Sequence, residues 1–472
     1  MPVRSIITAV LVAGVLVLLA FGPRTGAPAP AGRIVVEYWD TWTGAEMAAM
    51  QQTVDDFNRS VGAEKHIFVH FLSQSDISQK TLLAAAANVP PDIAGLWDKP
   101  LPQWAALGAL EPLYDLAAAR GFSEGYYKPI YWKGLHYNGH LYALLSTPNV
   151  VALLWNKRIF LEHAAALRAA GLDPARAPRT LSELDQYAGI LNQFDSTDPK
   201  KPILLSAGYL PTEPGWYLEQ TPLWFGGNLY DEKTGRFTLD SPETLAAFRW
   251  IASYSRKLTP GVVNEFHAAL GTYGTPANPF LTGQLVMEQQ GPWVQTVIEQ
   301  FKPEMNRWQP GETRPDRAEW SVAPFPSSLT ANAASDDARV DNAVTWCGLN
   351  CLAIPRGARH KAEAFEFIAY VNRMDVMEKL CAAHCKNTPL AQHSASWYSD
   401  HPNPNAEIFD RLASSPNART APPVAVWPEA VDEIKAAVLR VANLEQTPED
   451  AVTSLQQSLQ GKLDQFRARH PE

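Results

Sequence analysis

The most regular alternation of apolar and polar positions lies between residues 33 and 97. Arg33-Ile34-Val35-Val36-Glu37-Tyr38-Trp39 is a short β-branched run and predicts a strand. Met47, Met50, Val54 and Phe57 then recur at helical spacing, predicting an amphipathic helix that runs through Asn58. His66 to Leu72 predicts a second strand, Gln79 to Asn88 a helix closed by Pro90-Pro91, and Asp92 to Leu96 a third, short strand. Strand and helix alternating with short connections imply a doubly wound α/β sheet. Ligands of such sheets sit beyond the carboxyl ends of the strands. Here those ends carry Trp39-Asp40-Thr41-Trp42, Ser73-Gln74-Ser75-Asp76 and Trp97-Asp98.

Further along, helical patterns dominate. Thr180 and Glu183 form a T-x-x-E capping box, followed by the stripe Leu181, Leu184, Ala188 and Leu191. Ser241 and Pro242 read as the N-cap and first turn of another helix. Ala362 to Tyr370 and Glu429 to Ala442 predict two more, and Pro326 to Asp341 reads as a surface loop. At the N-terminus Arg4 precedes an apolar run from Ile6 to Phe21, and Ala29-Pro30-Ala31-Gly32 offers a small-residue cleavage site. Residues 1–31 therefore read as an export signal, with an uncleaved anchor as the alternative; the run is short of the roughly 20 residues that span a bilayer. No cysteine near it suggests a lipid anchor.

Composition narrows the function classes. The 472 residues carry a net charge of −9, and losing Arg4 and Arg24 with the signal leaves about −11. Nucleic-acid binding requires a concentrated basic surface, which this balance does not supply. Cys347, Cys351, Cys381 and Cys385 are disulfide or simple burial candidates, ahead of a metal site, because CxxxC is not the CxxC of zinc ribbons. No phosphate loop, GxGxxG, HExxH or GxSxG motif occurs, so no catalytic residue, metal or cofactor is assigned.

Fifteen tryptophans change the picture most. Trp39, Trp42, Trp97, Trp224, Trp293 and Trp346 fall beside Gly, Pro, Thr, Asp or Cys at predicted element ends. An isolated tryptophan is as readily core packing as ligand contact. Trp beside Asp, however, is what a sugar requires: a flat indole for the C–H face and acceptors for the hydroxyls.

The order of motifs resembles the extracellular solute-binding proteins that include the maltose- and oligosaccharide-binding components of ABC importers. The resemblance runs from Ile34 nearly to the C-terminus. It rests on Pro91-Asp92-Ile93 with Trp97 to Leu110, Asn138 to Leu144 followed by Leu154-Trp155-Asn156-Lys157, and Pro178-Arg179-Thr180 through Leu184. Phe280-Leu281-Thr282-Gly283-Gln284 with Met287 and Gly291-Pro292-Trp293 matches closely, as does Leu352-Ala353-Ile354 leading to Lys361–Tyr370. Leu145 or Pro148 stands where the family's crossover proline falls, and Trp155 replaces a commoner Tyr. The resemblance implies a periplasmic-binding-protein-like α/β fold, two doubly wound lobes joined by crossover strands around a central cleft. Crossings are implied at Leu145–Val150, Asn350–Ile354 and Ser399–Asn405. The first lobe would be residues 34–147 with about 354–402, the second 148–350 with 403–472. Trp39, Asp40, Trp97 and Asp98 would line the first wall and Trp293 the second, with Trp224, Trp346 and Asp76 as further candidates. The implied role is capture of a carbohydrate by a monomeric exported protein for a membrane permease. A solute sensor and an exported glycosidase are the alternatives.

Overall fold

The computed structural model describes residues 30–74, 77–198, 201–306 and 318–470. The chain opens with β1 (Ile34–Asp40), α1 (Gly44–Arg59), β2 (Ile67–Ser73), α2 (Ile77–Ala86), β3 (Ile93–Trp97) and α3 (Leu101–Ala106). β1 pairs in parallel with both β2 and β3, so the doubly wound start is as the apolar pattern predicts. All three strands point their carboxyl ends, Asp40, Ser73 and Trp97, toward one edge. Val36, Tyr38, Val54 and Phe57 bury one face, with Phe57 edge-on to Phe367 at 5.2 Å.

The crossing between lobes follows. β4 (Ala143–Val150) leads directly into β5 (Ala152–Asn156). On β5, side chains alternate between two cores: Ala152 and Leu154 pack with the first lobe's cluster, Leu153 and Trp155 with the second. α4 (Leu181–Leu191) and α5 (Pro242–Leu258) begin as expected, with Thr180 and Ser241 hydroxyls accepting from the N–H groups of Glu183 and Thr244. β6 (Met287–Gln290), α6 (Val294–Phe301) and β7 (Trp320–Ala323) complete the second sheet, in which β6 and β7 flank β5 and run antiparallel to it. β8 (Thr345–Ala353) returns antiparallel to β4 while its far end pairs with β3. These two long strands are the bridge.

Next come α7 (Lys361–Val371), α8 (Met374–Ala383), α9 (Ala406–Ala413), β9 (Ala418–Arg419), α10 (Trp427–Ala442) and α11 (Pro448–Arg469). Phe409, Leu412 and Ala418 pack in the first core; from Ala421 onward the chain packs in the second. Asp336–Asp341, expected as loop, is a short helix capped by Ser335, whose hydroxyl accepts from Ala338 N–H. The apolar pattern missed it because its first turn is Asp336-Asp337, which favours a helix N-terminus electrostatically rather than by burial.

Of the two expectations for the cysteines, the structure has burial and not disulfides: all four are free and buried. Cys347 and Cys351 lie four residues apart on extended β8, about 13 Å along the strand, beyond the roughly 7 Å a disulfide spans. Cys381 directs its thiol to Met377 Sδ at 3.7 Å, and burial pushes the Cys385 thiol up to about 11. No helix among the described residues is long and apolar enough to cross a membrane, and none of their His, Cys, Asp and Glu side chains cluster as a metal site. The 1–31 export segment falls almost wholly outside the described residues.

Candidate functional site

The first lobe's wall is built on strand ends. Asp40 closes β1 and is buried, its carboxylate accepting hydrogen bonds from the Tyr38 hydroxyl and from the Thr41 N–H, the latter at 2.6 Å. It lies flat over Gly95 of the neighbouring strand, where a Cβ would come within 2.0 Å of Asp40 Cγ. Burial pushes this acid up to about 6, against the lowering effect of those hydrogen bonds. Asp40 is thus a clamp between strands. Trp39, next to it, is half-buried. At the end of β3, Trp97 is 54% exposed, whereas Asp98 is only 7% exposed and its Oδ2 has no hydrogen-bond partner. Burial raises Asp98 to about 6, Lys99 lowers it and Glu219 raises it further.

A buried charged group sits beside these ends. Lys386 Nζ lies 2.6 Å from Glu46 Oε1, 4.6 Å over the Trp42 ring and 3.5 Å from Thr147 Oγ1. Thr147 Oγ1 also accepts from Asn350 Nδ2 at 3.1 Å, so the lysine is tied to both bridging strands. His384 packs edge-on to Trp42 and donates from Nε2 to the Glu46 carbonyl at 3.1 Å. Burial and then the Lys386 charge depress it to about 3, so it is a neutral imidazole. Burial pushes Glu46 up, but the Lys386 and His384 side more than offsets this and holds it below its usual range.

The second wall comes from a loop and a helix start. Tyr217, in the left-handed region at φ 66°, leads into a short helical turn, Leu218–Gln220. That backbone conformation is uncommon for a non-glycine residue and concentrates at functional sites. Its ring lies 6.1 Å from the Trp293 ring, and its hydroxyl is held well above the usual phenol range by burial and by Asp98, Glu219 and Glu46. Glu219 Oε1 approaches Lys99 Nζ at 3.2 Å, across the two lobes. Gln220 is buried; its Oε1 accepts from Gln289 Nε2 at 3.2 Å, while its own Nε2 has no partner. Trp293 starts α6 folded over Gly291, where a Cβ would lie 1.8 Å from the indole. This explains why glycine precedes the tryptophan by two positions.

The structure therefore brings Asp98 toward Trp293 through Tyr217, while Trp97 stands exposed at the end of β3. It does not bring Trp224 there: that indole is fully buried and stacked 4.8 Å from Phe325 in the second core. Trp346 is likewise buried and stacked 6.2 Å from Trp427, but it lines a cavity of about 590 Å³ that shares Lys133 and Glu232 with the cavity beside Asp98. Trp224 is core packing because a glycine neighbour does not separate a loop tip from a packed helix end. Asp76 lies outside the described residues. Tyr217, Glu219 and Gln220 were missed although Trp216-Tyr217-Leu218-Glu219 follows the same aromatic-beside-acid rule. Lys386 was missed for want of any local signal.

Two walls of aromatic faces and hydrogen-bonding groups, one from each lobe, can grip a flat polar solute from both sides. Comparisons with known proteins agree with the fold. CpMnBP1, solved with mannobiose bound, superposes with a TM-score of 0.71 at 22% identity, covering 90% of this chain and 99% of that one. The sugar-binding protein MalE from Xanthomonas citri gives 0.66 at 20% identity, covering 92% and 98%. A maltotriose-binding protein from Pyrococcus abyssi is 22% identical over 263 residues, 56% of this chain and 50% of that protein. The matched stretch thus spans about half the length of that curated relative. Residues 52–403 match the model of the bacterial extracellular solute-binding proteins, and the chain belongs to that family.

Proposed function

We propose that the protein captures a sugar or oligosaccharide between its lobes and presents it to an ABC-importer permease, without chemistry of its own. The observation that carries this reading is the approach of Asp98, at the end of β3, to Tyr217 and through it to Trp293 on the opposite lobe. Trp97 and Trp293 supply ring faces; Asp98, Glu219 and Gln220 supply the polar rim. The relatives named above, which bind maltotriose and mannobiose, support the same class of solute. Export as a monomer, directed by residues 1–31, completes the reading. The lobes divide at the β4/β8 bridge, and the third crossing is drawn at Ala418–Ala421, where packing changes core, rather than at Ser399–Asn405. Closure around solute is a hinge motion of these crossing residues.

A thermal-shift and calorimetric panel of mono-, di- and trisaccharides tests it. A sugar at 100 times its dissociation constant adds about 2.7 kcal/mol of stability. A panel without any shift or heat rejects sugar capture. The proximity of the Asp98 and Glu219 carboxylates also lends itself to glycoside hydrolysis, which uses two acids. New reducing ends after incubation with oligosaccharides would favour that second reading; intact sugar after prolonged binding excludes it.

A further inference from the structure

The charges around the cleft do not pair evenly. Lys386 is committed to Glu46 at 2.6 Å, and Lys133 to Glu232 at 2.8 Å. Lys99 is shared: it approaches Glu219 at 3.2 Å and is the cation that acts most strongly on Asp98. One lysine therefore faces two carboxylates. Asp98 is more than nine-tenths buried, its Oδ2 has no partner, and it lines a cavity of about 160 Å³ with Lys133, His136, Asn138 and Glu232. His136 adds no charge there, since burial lowers its pKa and its Nδ1 is engaged with the Trp132 carbonyl at 2.7 Å. The remaining neighbours, Tyr217 and Cys351, are uncharged, each raised well above its ordinary range by burial. A buried carboxylate short of a counter-charge costs several kcal/mol. A neutral hydroxyl offers it one hydrogen bond but leaves the charge uncompensated; an ammonium supplies both.

We propose that Asp98 receives a protonated amine, so that the solute is an amine-bearing sugar rather than a neutral or acidic one. This rests on the sugar-capture reading and names its substrate class.

The test is calorimetry of the full chain at pH 7 with glucosamine, mannosamine and galactosamine against their parent hexoses, and glucosamine disaccharide against cellobiose. At least one amine-bearing sugar is expected to bind about tenfold tighter than its neutral counterpart, the margin of a charge-assisted over a neutral hydrogen bond. Equal or weaker binding of every amine overturns the proposal and leaves sugar capture standing. Failure of all sugars to bind overturns both. In Asp98→Asn the preference should fall to about unity; its persistence overturns the assignment to Asp98. As a check that needs no variant, the wild-type preference should shrink at pH 5, where Asp98 takes up a proton while the amine keeps its own. A preference undiminished at pH 5 counts against Asp98.

Discussion

The two walls of the cleft are made in different ways. On the first lobe, functional side chains sit at the ends of parallel strands whose spacing the sheet dictates, so Trp97-Asp98 follows from β3 as Asp40 follows from β1. On the second, Tyr217, Glu219 and Gln220 hang on a loop and one short helical turn, positioned by a left-handed residue and by packing against Trp293. A sheet edge fixes its residues through ladder hydrogen bonds, so changes there should appear as stability. A loop fixes its residues through side-chain contacts, so changes there should appear as affinity.

The largest effect tests the boundary between core and wall. Trp224→Ala removes an indole from the second core and should cost about 4 kcal/mol in denaturant unfolding, with sugar affinity of the folded fraction unchanged. Loss of affinity without loss of stability would return Trp224 to the cleft. Gly95→Ala comes next: the new methyl collides with Asp40 Cγ, and about 3 kcal/mol of stability should go. Adding Asp40→Ala to that variant should recover part of it, since the two positions are in contact. Trp293→Ala should weaken sugar binding about a hundredfold, near 2.7 kcal/mol, with the melting temperature held. An equally large drop in melting temperature would make Trp293 a core residue and erase the contrast.

Smaller effects follow from charge. Asp98 has a folded pKa raised to about 6, above its ordinary unfolded value, so the folded state holds the proton more tightly. Stability without ligand should therefore fall as pH rises from about 4 to 6, by about 2 kcal/mol from this group. Asp40, raised to about 6 as well, adds a fall in the same window. Asp98→Asn should remove only its own share, and a pH profile identical to wild type would contradict the assignment. Smallest is Lys99→Met, which breaks a partly exposed interlobe pair and should weaken affinity for a neutral sugar about threefold at low salt and less at high salt.

The same division explains what could be read from residues alone. β1 and the start of β2 were legible because alternate residues are buried, β3 because it is a short continuous apolar run, and the strand ends then followed by geometry. Trp293 was legible through Gly291-Pro292-Trp293, a motif whose physical content is the glycine on which the indole folds. Lys386 was not, because Glu46 and Thr147, which hold it, lie 340 and 239 residues away and meet it only in the folded chain. Trp224 was misread for the opposite reason: its glycine neighbours suggested a loop tip, but the indole packs on Phe325 in the second core.

Gly95 and Asp40 carry a further consequence. The Asp40 carboxylate occupies the space where any other residue at 95 would put its Cβ, so the two positions behave as one inherited unit. A lineage that gives residue 95 a side chain must first shorten residue 40, and one that keeps the acid must keep the glycine. Among related chains these positions should change together or not at all, even where every residue that touches the solute has been exchanged.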